Sequence, residues 1–101
     1  MAKKEETLFK ERITPKLKSL TNVWYFKSSE RSIRGIPDII MCLNGQFIAM
    51  ELKKSASATT SKLQDYNLLR IRQCGGRAFL VYPENFDRIF IQLEQISKEG
   101  L

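Results

Sequence analysis

Apolar residues near the start of the chain recur at the spacing of an amphipathic helix. Intervals of four, four and three residues separate the members of this stripe, which are Phe9, Ile13, Leu17 and Leu20. Such spacing places side chains on one helix face, and it predicts a helix from about Glu5 to Leu20. Pro15 lies inside this range and is expected to kink or divide the helix, because proline has no N–H to donate.

Three strands are predicted next. Val23 to Phe26 is rich in aromatic and β-branched residues, and the polar, basic segment from Lys27 to Arg34 that follows it is typical of a loop. Two further apolar runs, Ile36 to Leu43 and Gln46 to Leu52, are separated by Asn44-Gly45. An Asn-Gly pair between two such runs is a strong signal for a hairpin with a two-residue turn.

A helix, a strand and a last helix are predicted in the second half. After the Ser- and Thr-rich segment from Lys54 to Thr60, Ser61 begins a helix that runs to Cys74, where Gly75-Gly76 ends it. Ala78 to Tyr82 is the fourth strand. The last helix follows Pro83-Glu84-Asn85, and its apolar face is formed by Phe86, Ile89, Phe90 and Leu93. The order αβββαβα predicts an α/β fold with a mixed sheet of about four strands flanked by helices, and the length predicts one domain over residues 1–101.

The amino-acid composition limits the binding partners and the metal sites that this chain is expected to have. The 17 Lys and Arg residues against 11 Asp and Glu give a net charge of +6, which suits a polyanionic partner such as nucleic acid or an acidic membrane surface. With no histidine and only Cys42 and Cys74, zinc sites of the Cys/His type and His-based triads are excluded, so that a metal would be held mainly by oxygen. Both cysteines lie in apolar segments and are expected to be small buried side chains.

The chain shows no secretory signal and no apolar run of membrane-spanning length, so a cytoplasmic protein without membrane contact is expected.

The predicted hairpin brings two carboxylates together. With Asn44-Gly45 as the turn, residue numbers of opposed positions sum to 89, so that Asp38 faces Glu51 and Lys53 projects from the same sheet face. Like charges about 4.5 to 5.5 Å apart destabilise a sheet, and a shared proton, Lys53 or a divalent ion such as Mg²⁺ would offset the repulsion. An exposed strand end with an ordinary salt network is the purely structural alternative. It is weakened because Glu51 interrupts an apolar run.

These residues also resemble a known nuclease signature. Gly35-Ile36-Pro37-Asp38, twelve residues and then Glu51-Leu52-Lys53 are similar to the PD-(D/E)XK pattern. The closer resemblance is to the small stand-alone VRR-NUC proteins of phages, relatives of Holliday-junction resolvases, and it spans nearly the whole chain. It includes Glu6-x-x-Phe9-x-x-x-Ile13, then Gln64 after the lysine, and finally Gly75-Gly76 before an apolar strand and Tyr82-Pro83.

The resemblance implies a restriction-endonuclease-like core and a set of site residues. Asp38, Glu51 and the backbone carbonyl of Leu52 would bind Mg²⁺ or Mn²⁺. Lys53 would hold the attacking water or stabilise the developing charge on phosphorus, and this electrostatic role is preferred to that of a base because neighbouring carboxylates favour the charged ammonium. Phosphodiester hydrolysis then draws on metal-ion and electrostatic stabilisation.

Two further candidate site residues, Glu6 and Gln64, could also have purely structural roles. Glu6 borders the buried stripe and is the first-helix carboxylate expected to reach the metal, directly or through water, although Glu5 and Glu11 are also present and Glu6 would equally stabilise the helix dipole. Gln64 shares a helix face with Leu68 and Ile71 and is a candidate catalytic residue, but Ser61-x-x-Gln64 is also a capping box. Both roles of Gln64 are compatible.

A basic footprint surrounds these positions, formed by Lys27, Arg31, Arg34, Lys54 and Lys62. Phosphate contacts of this kind position a nucleic acid without reading its sequence. Trp24, Tyr25 and Phe26 lie on a predicted strand and are expected in the core rather than as base-stacking groups.

Two functional classes follow from these residues and from the resemblance. The first is a metal-dependent, structure-selective DNA endonuclease that acts as a homodimer on four-way junctions or other branched DNA. A nicking, flap-cleaving or homing enzyme is its nearest rival within the nucleases. The second class is a DNA-binding accessory module whose carboxylate pair is inactive. The presence of Asp38, Glu51, Lys53 and Gln64 together favours the first class.

Overall fold

A four-stranded mixed sheet with three helices forms the framework. The computed structural model describes residues 4–28 and 34–100. Its elements are α1 (Glu5–Lys18), β1 (Val23–Lys27), β2 (Ile39–Leu43), β3 (Gln46–Leu52), α2 (Lys62–Gln73), β4 (Arg77–Val81) and α3 (Phe86–Lys98). The strands lie in the order β1-β2-β3-β4, with antiparallel β1/β2 and β2/β3 pairs and a parallel β3/β4 pair. The predicted α/β class and element order are confirmed.

One face of the sheet carries the main core. The α1 stripe of Phe9, Ile13 and Leu17 packs there with the apolar face of α3 and with alternate strand residues such as Met41 and Ile48. Only alternate strand residues enter this core, because every second side chain of a strand points to the same face. The core therefore depends on the helical and strand periodicities that the sequence displays.

The opposite face is only partly covered. Leu68 of α2 packs against Ala49 of β3 and Ala78 of β4, and Ile40 and Ile71 lie at the margin of this smaller cluster. The two alanines allow the helix to approach the sheet closely. Because α2 packs over β3 and β4, residues 4–28 and 34–100 leave the half of this face formed by β1 and β2 largely open, with Ile40 partly buried against the α2 cluster.

Several local predictions are corrected. Helix α1 is continuous through Pro15 and ends at Lys18, so proline does not divide it. Strand β2 begins at Ile39 rather than at Ile36. The region from Lys27 to Arg34 lies partly outside the described residues. Within residues 4–28 and 34–100, no helix combines the length and the apolar character needed to cross a bilayer.

The predicted burial of two residue types is wrong. Cys42 and Cys74 are both exposed. Trp24 and Phe26 are 59% and 49% exposed, whereas Tyr25 packs against the main core as expected. The physical reason is the incomplete cover by α2, since Trp24, Phe26 and Cys42 belong to the open half of the sheet.

Candidate active site

The Asn44-Gly45 turn sets the register of the hairpin as predicted. Both residues have positive φ, 51° and 81°, which a two-residue turn of this type requires. The five β2/β3 pairs run from Ile39 with Met50 to Leu43 with Gln46, and their residue numbers sum to 89. The predicted register is therefore confirmed along the ladder, and Asp38 and Glu51 lie one step beyond its last pair.

The hairpin ladder ends at the pair of Ile39 and Met50, and the Asp38 side chain supplies the next hydrogen-bond acceptor for β3. Continued register would place Leu52 opposite Pro37, whose nitrogen carries no hydrogen to donate. The N–H of Leu52 donates instead to Oδ2 of Asp38 at 2.8 Å. A strand residue directs its N–H and C=O to the same edge, so the Leu52 carbonyl also faces this end of the hairpin, where Pro37 offers it no donor. The chain thus gathers a carboxylate and a backbone carbonyl at one place.

Glu51 supplies a second carboxylate, which is buried. It is only 3% exposed, and its Oε2 accepts a hydrogen bond from Nε2 of Gln64 at 3.0 Å. Burial, followed by the repulsion of the Asp38 carboxylate, raises the pKa of Glu51 from 4.5 to about 8, although Lys53 opposes the shift. Burial and the repulsion of Asp38 therefore disfavour the ionised form of Glu51 more than Lys53 favours it.

Lys53 and Gln64 complete a connected cluster. The backbone N–H of Lys53 donates to the carbonyl of Val81 at 2.8 Å, which anchors this residue to β4. Its ammonium lies 3.1 Å from Oε1 of Gln64 and 3.6 Å from Oε2 of Glu51. Ser61 and Gln64 also form a complete capping box at the start of α2. Gln64 therefore both caps the first turn of α2 and contacts the two charged side chains, Lys53 and Glu51.

Lys10 is a member of this site that sequence reasoning missed. Its ammonium lies 3.5 Å from Oδ1 of Asp38 and 3.7 Å from Oε1 of Glu6. Glu6 thus approaches the carboxylate pair through Lys10. The available signal was helical spacing, because a residue four positions after Glu6 shares its helix face, and Lys10 follows Phe9 of the buried stripe.

A polar cleft of about 450 Å³ opens beside the cluster. Its lining includes Glu5 and Glu6 from α1, together with Lys53, Lys54 and Ala58. The cleft reaches the cluster at Lys53, whose ammonium contacts the buried Glu51 carboxylate. Both first-turn glutamates reach it, so Glu6 is not singled out by position alone.

The donor set fits a hard divalent cation. Among residues 4–28 and 34–100, no group of three His, Cys, Asp or Glu side chains could hold a metal ion. Two carboxylates, from Asp38 and Glu51, and the Leu52 carbonyl are nevertheless oxygen donors of the kind Mg²⁺ takes, with water filling the other positions. The raised pKa of Glu51 points the same way, because a nearby cation would favour the ionised carboxylate that burial and the repulsion of Asp38 disfavour.

Four members of the predicted basic footprint are described and exposed, namely Lys27, Arg34, Lys54 and Lys62. Lys27 ends β1 opposite Ile39, next to Asp38, and Lys62 begins α2 near Gln64. Lys54 lines the cleft. Arg31 lies outside the described residues. The elements that border the end of the sheet where the carboxylates meet therefore carry Lys27, Lys54 and Lys62, and Arg34 lies four residues before Asp38.

Comparison with known proteins identifies the fold. No protein-family model matches the sequence, and no curated protein matches it significantly. A solved structure described as "VRR_NUC domain" is similar with a TM-score of 0.69 and 20% sequence identity, over 98% of this chain and 100% of that chain. The resemblance to VRR-NUC domains is confirmed at the level of the fold, across nearly the entire chain.

Proposed function

We propose that this protein is a divalent-metal-dependent DNA endonuclease that hydrolyses phosphodiester bonds in branched DNA. The carrying observation is the cluster in which buried Glu51 lies beside Asp38 and is hydrogen-bonded through Gln64 to Lys53. A purely structural strand end would not bury a carboxylate whose charge is poorly compensated. The VRR-NUC fold supports the same proposal.

Asp38, Glu51 and the Leu52 carbonyl would hold Mg²⁺ or Mn²⁺. Such an ion, when bound, neutralises charge on the scissile phosphate and lowers the pKa of water. The protein's own contribution is to keep these oxygens at one end of the hairpin, through the Asn44-Gly45 turn and the bond from Leu52 to Asp38.

Lys53 would stabilise the negative charge that develops on the phosphoryl oxygens. Its side chain is only 15% exposed, so its charge acts in a medium of lower dielectric constant than water. Gln64 is a positioning residue, because its amide holds the Lys53 ammonium with one atom and the Glu51 carboxylate with another. Lys10 would balance the charge of Asp38 and link Glu6 to the site.

DNA is the proposed substrate because exposed cations border the site. Such cations bind the phosphates of a nucleic-acid backbone without requiring one exact arrangement of side chains. We extend the proposal to four-way junctions and to a homodimer, as the resemblance implies. A two-fold pair of identical sites is suited to symmetric nicks in a symmetric substrate. The protein itself would then supply one site per chain.

Cleavage of labelled four-way junction, flap and blunt duplex DNA, each with Mg²⁺, Mn²⁺ or EDTA, tests this proposal. We expect paired symmetric nicks in the junction that require a metal ion. Cleavage confined to flaps would keep the nuclease and reject the junction. Salt-sensitive binding without cleavage in either metal would reject the nuclease and favour an accessory DNA-binding module.

The two roles of Gln64 can be separated with Ser61. In Gln64→Ala, the bond from the Ser61 N–H to Oε1 of Gln64 and the contacts with Lys53 and Glu51 are lost, so we expect about 1 kcal/mol lower stability and about tenfold slower cleavage. In Ser61→Ala only the bond from the Gln64 N–H to Oγ of Ser61 is lost, and a similar destabilisation should leave the rate unchanged. Urea unfolding and single-turnover cleavage measure the two effects. Equal rates in the two variants would restrict Gln64 to capping.

A further inference from the structure

Two aromatic rings stand stacked on the open half of the sheet. Trp24 and Phe26 lie two residues apart on β1, and their rings are parallel within 2° with centroids 5.9 Å apart. Each ring is about half exposed, at 59% and 49%. Because β1 is an edge strand and α2 packs on the other half of this face, the rings are open to solvent beyond the stack.

Along β1, the two stacked rings lead toward the end of the sheet that carries Asp38 and Glu51. Side chains at alternate positions share a face, so the next place after Trp24 and Phe26 belongs to Ser28, a small residue. The N–H of Ser28 donates to the backbone carbonyl of Asp38 at 2.8 Å, which continues the ladder by one step. A planar group stacked on Phe26 would therefore lie above a small side chain and beside Asp38.

Charge near the stack suits a nucleic acid. Exposed Arg34 lies in the segment that precedes Asp38, and the Lys53 ammonium lies at the same end of this face, 3.6 Å from Oε2 of Glu51. Bases stack on aromatic side chains regardless of their sequence, while cations hold the phosphates. A second copy of the chain seated on Phe26 would obstruct this approach to the carboxylates. Unpaired nucleotides are the occupant that matches both the rings and the adjoining cations.

We propose that Trp24 and Phe26 form a stacking platform for unpaired nucleotides next to the phosphate that is cleaved. This inference rests on the proposed nuclease function and deepens it, because it assigns the substrate at least one unpaired nucleotide beside the cut, as in a flap or in a junction whose branch point has opened, rather than a continuous duplex. The bases at a branch point or a flap are accessible for such stacking, whereas those within an intact duplex are already stacked on one another.

Fluorescence of Trp24, the only tryptophan of the chain, tests the platform directly. In EDTA, a single-stranded oligothymidylate of about ten nucleotides should quench the emission, and a blunt duplex of the same length should do so less. Phe26→Leu is expected to weaken single-strand binding by about tenfold. A labelled oligonucleotide followed by anisotropy gives the same measurement for Trp24→Leu.

Phe47→Leu is the matched control. Phe47 is 48% exposed on the same sheet face, but it lies near the hairpin turn, at the far end from Asp38. Its replacement should leave single-strand binding unchanged. Thermal unfolding of both variants checks that each remains folded. Equal binding by Phe26→Leu and wild type would overturn the platform.

The remaining outcomes separate the platform from its alternatives. If sedimentation shows a dimer that both Phe26→Leu and Phe47→Leu dissociate, the face is a contact between copies and the platform is overturned. If Phe26-dependent binding occurs but no metal supports cleavage, the platform stands and the nuclease proposal fails. If the protein cleaves DNA and Phe26→Leu binds and cleaves unpaired substrates like wild type, only the platform fails.

Discussion

Replacing Asp38 by asparagine is expected to slow DNA cleavage by about a thousandfold or more, with little loss of stability. An asparagine oxygen can still accept the hydrogen bond from the Leu52 N–H, so the end of the hairpin is kept. The lost negative charge removes a ligand for the divalent ion, whose contribution to phosphate chemistry amounts to several kcal/mol. Single-turnover cleavage of a labelled junction and calorimetric titration with Mn²⁺ measure rate and metal affinity separately.

The variant Lys53→Ala tests charge stabilisation separately from metal binding. We expect cleavage to slow by about 100- to 1000-fold, as for other preorganised charge-stabilising groups, while Mn²⁺ affinity stays close to that of wild type because the ammonium is not a ligand. Exposed Asp87 and Lys98 supply matched controls, and Asp87→Asn and Lys98→Ala should cleave normally. Wild-type rates in Asp38→Asn would contradict the proposed site.

The stability of the metal-free protein is expected to fall as the pH rises from about 4.5 to about 8. Since the pKa of Glu51 is raised from 4.5 to about 8, the folded protein retains a proton in this range that the unfolded chain releases. The stabilisation is fully present below about pH 4.5 and is lost as the pH passes through about 8. The slope for one proton is at most about 1.4 kcal/mol per pH unit. Urea unfolding in EDTA at several pH values measures it.

Glu51→Gln should remove this slope, because an amide does not titrate here. Glu84→Gln, which alters an exposed glutamate, should leave it in place. Adding Mg²⁺ should stabilise the wild type more at about pH 8 than at about pH 5, since a metal ligand must be deprotonated. An unchanged slope in Glu51→Gln would show that another group causes the pH dependence.

The carboxylate site illustrates how far local sequence reasoning extends. The Asn44-Gly45 turn and strand alternation were enough to bring Asp38, Glu51 and Lys53 to one end of the hairpin. The same register places Pro37 opposite Leu52, but only the structure shows that the Leu52 N–H donates to the Asp38 carboxylate instead. Local sequence reasoning also missed Lys10, whose ammonium meets Asp38 only after α1 packs on the sheet.

By itself, the sequence determined the element order, the hairpin register and the residues of the main core, because turn chemistry and side-chain periodicity act over a few neighbouring positions. Only the tertiary structure decided how deeply Glu51 is buried and which strands remain uncovered. The apolar character of Trp24, Phe26 and Cys42 predicted a core position, but their exposure depends on how far α2, a distant segment, extends across the sheet. Burial is a property of the assembled layers, and no local pattern encodes it fully.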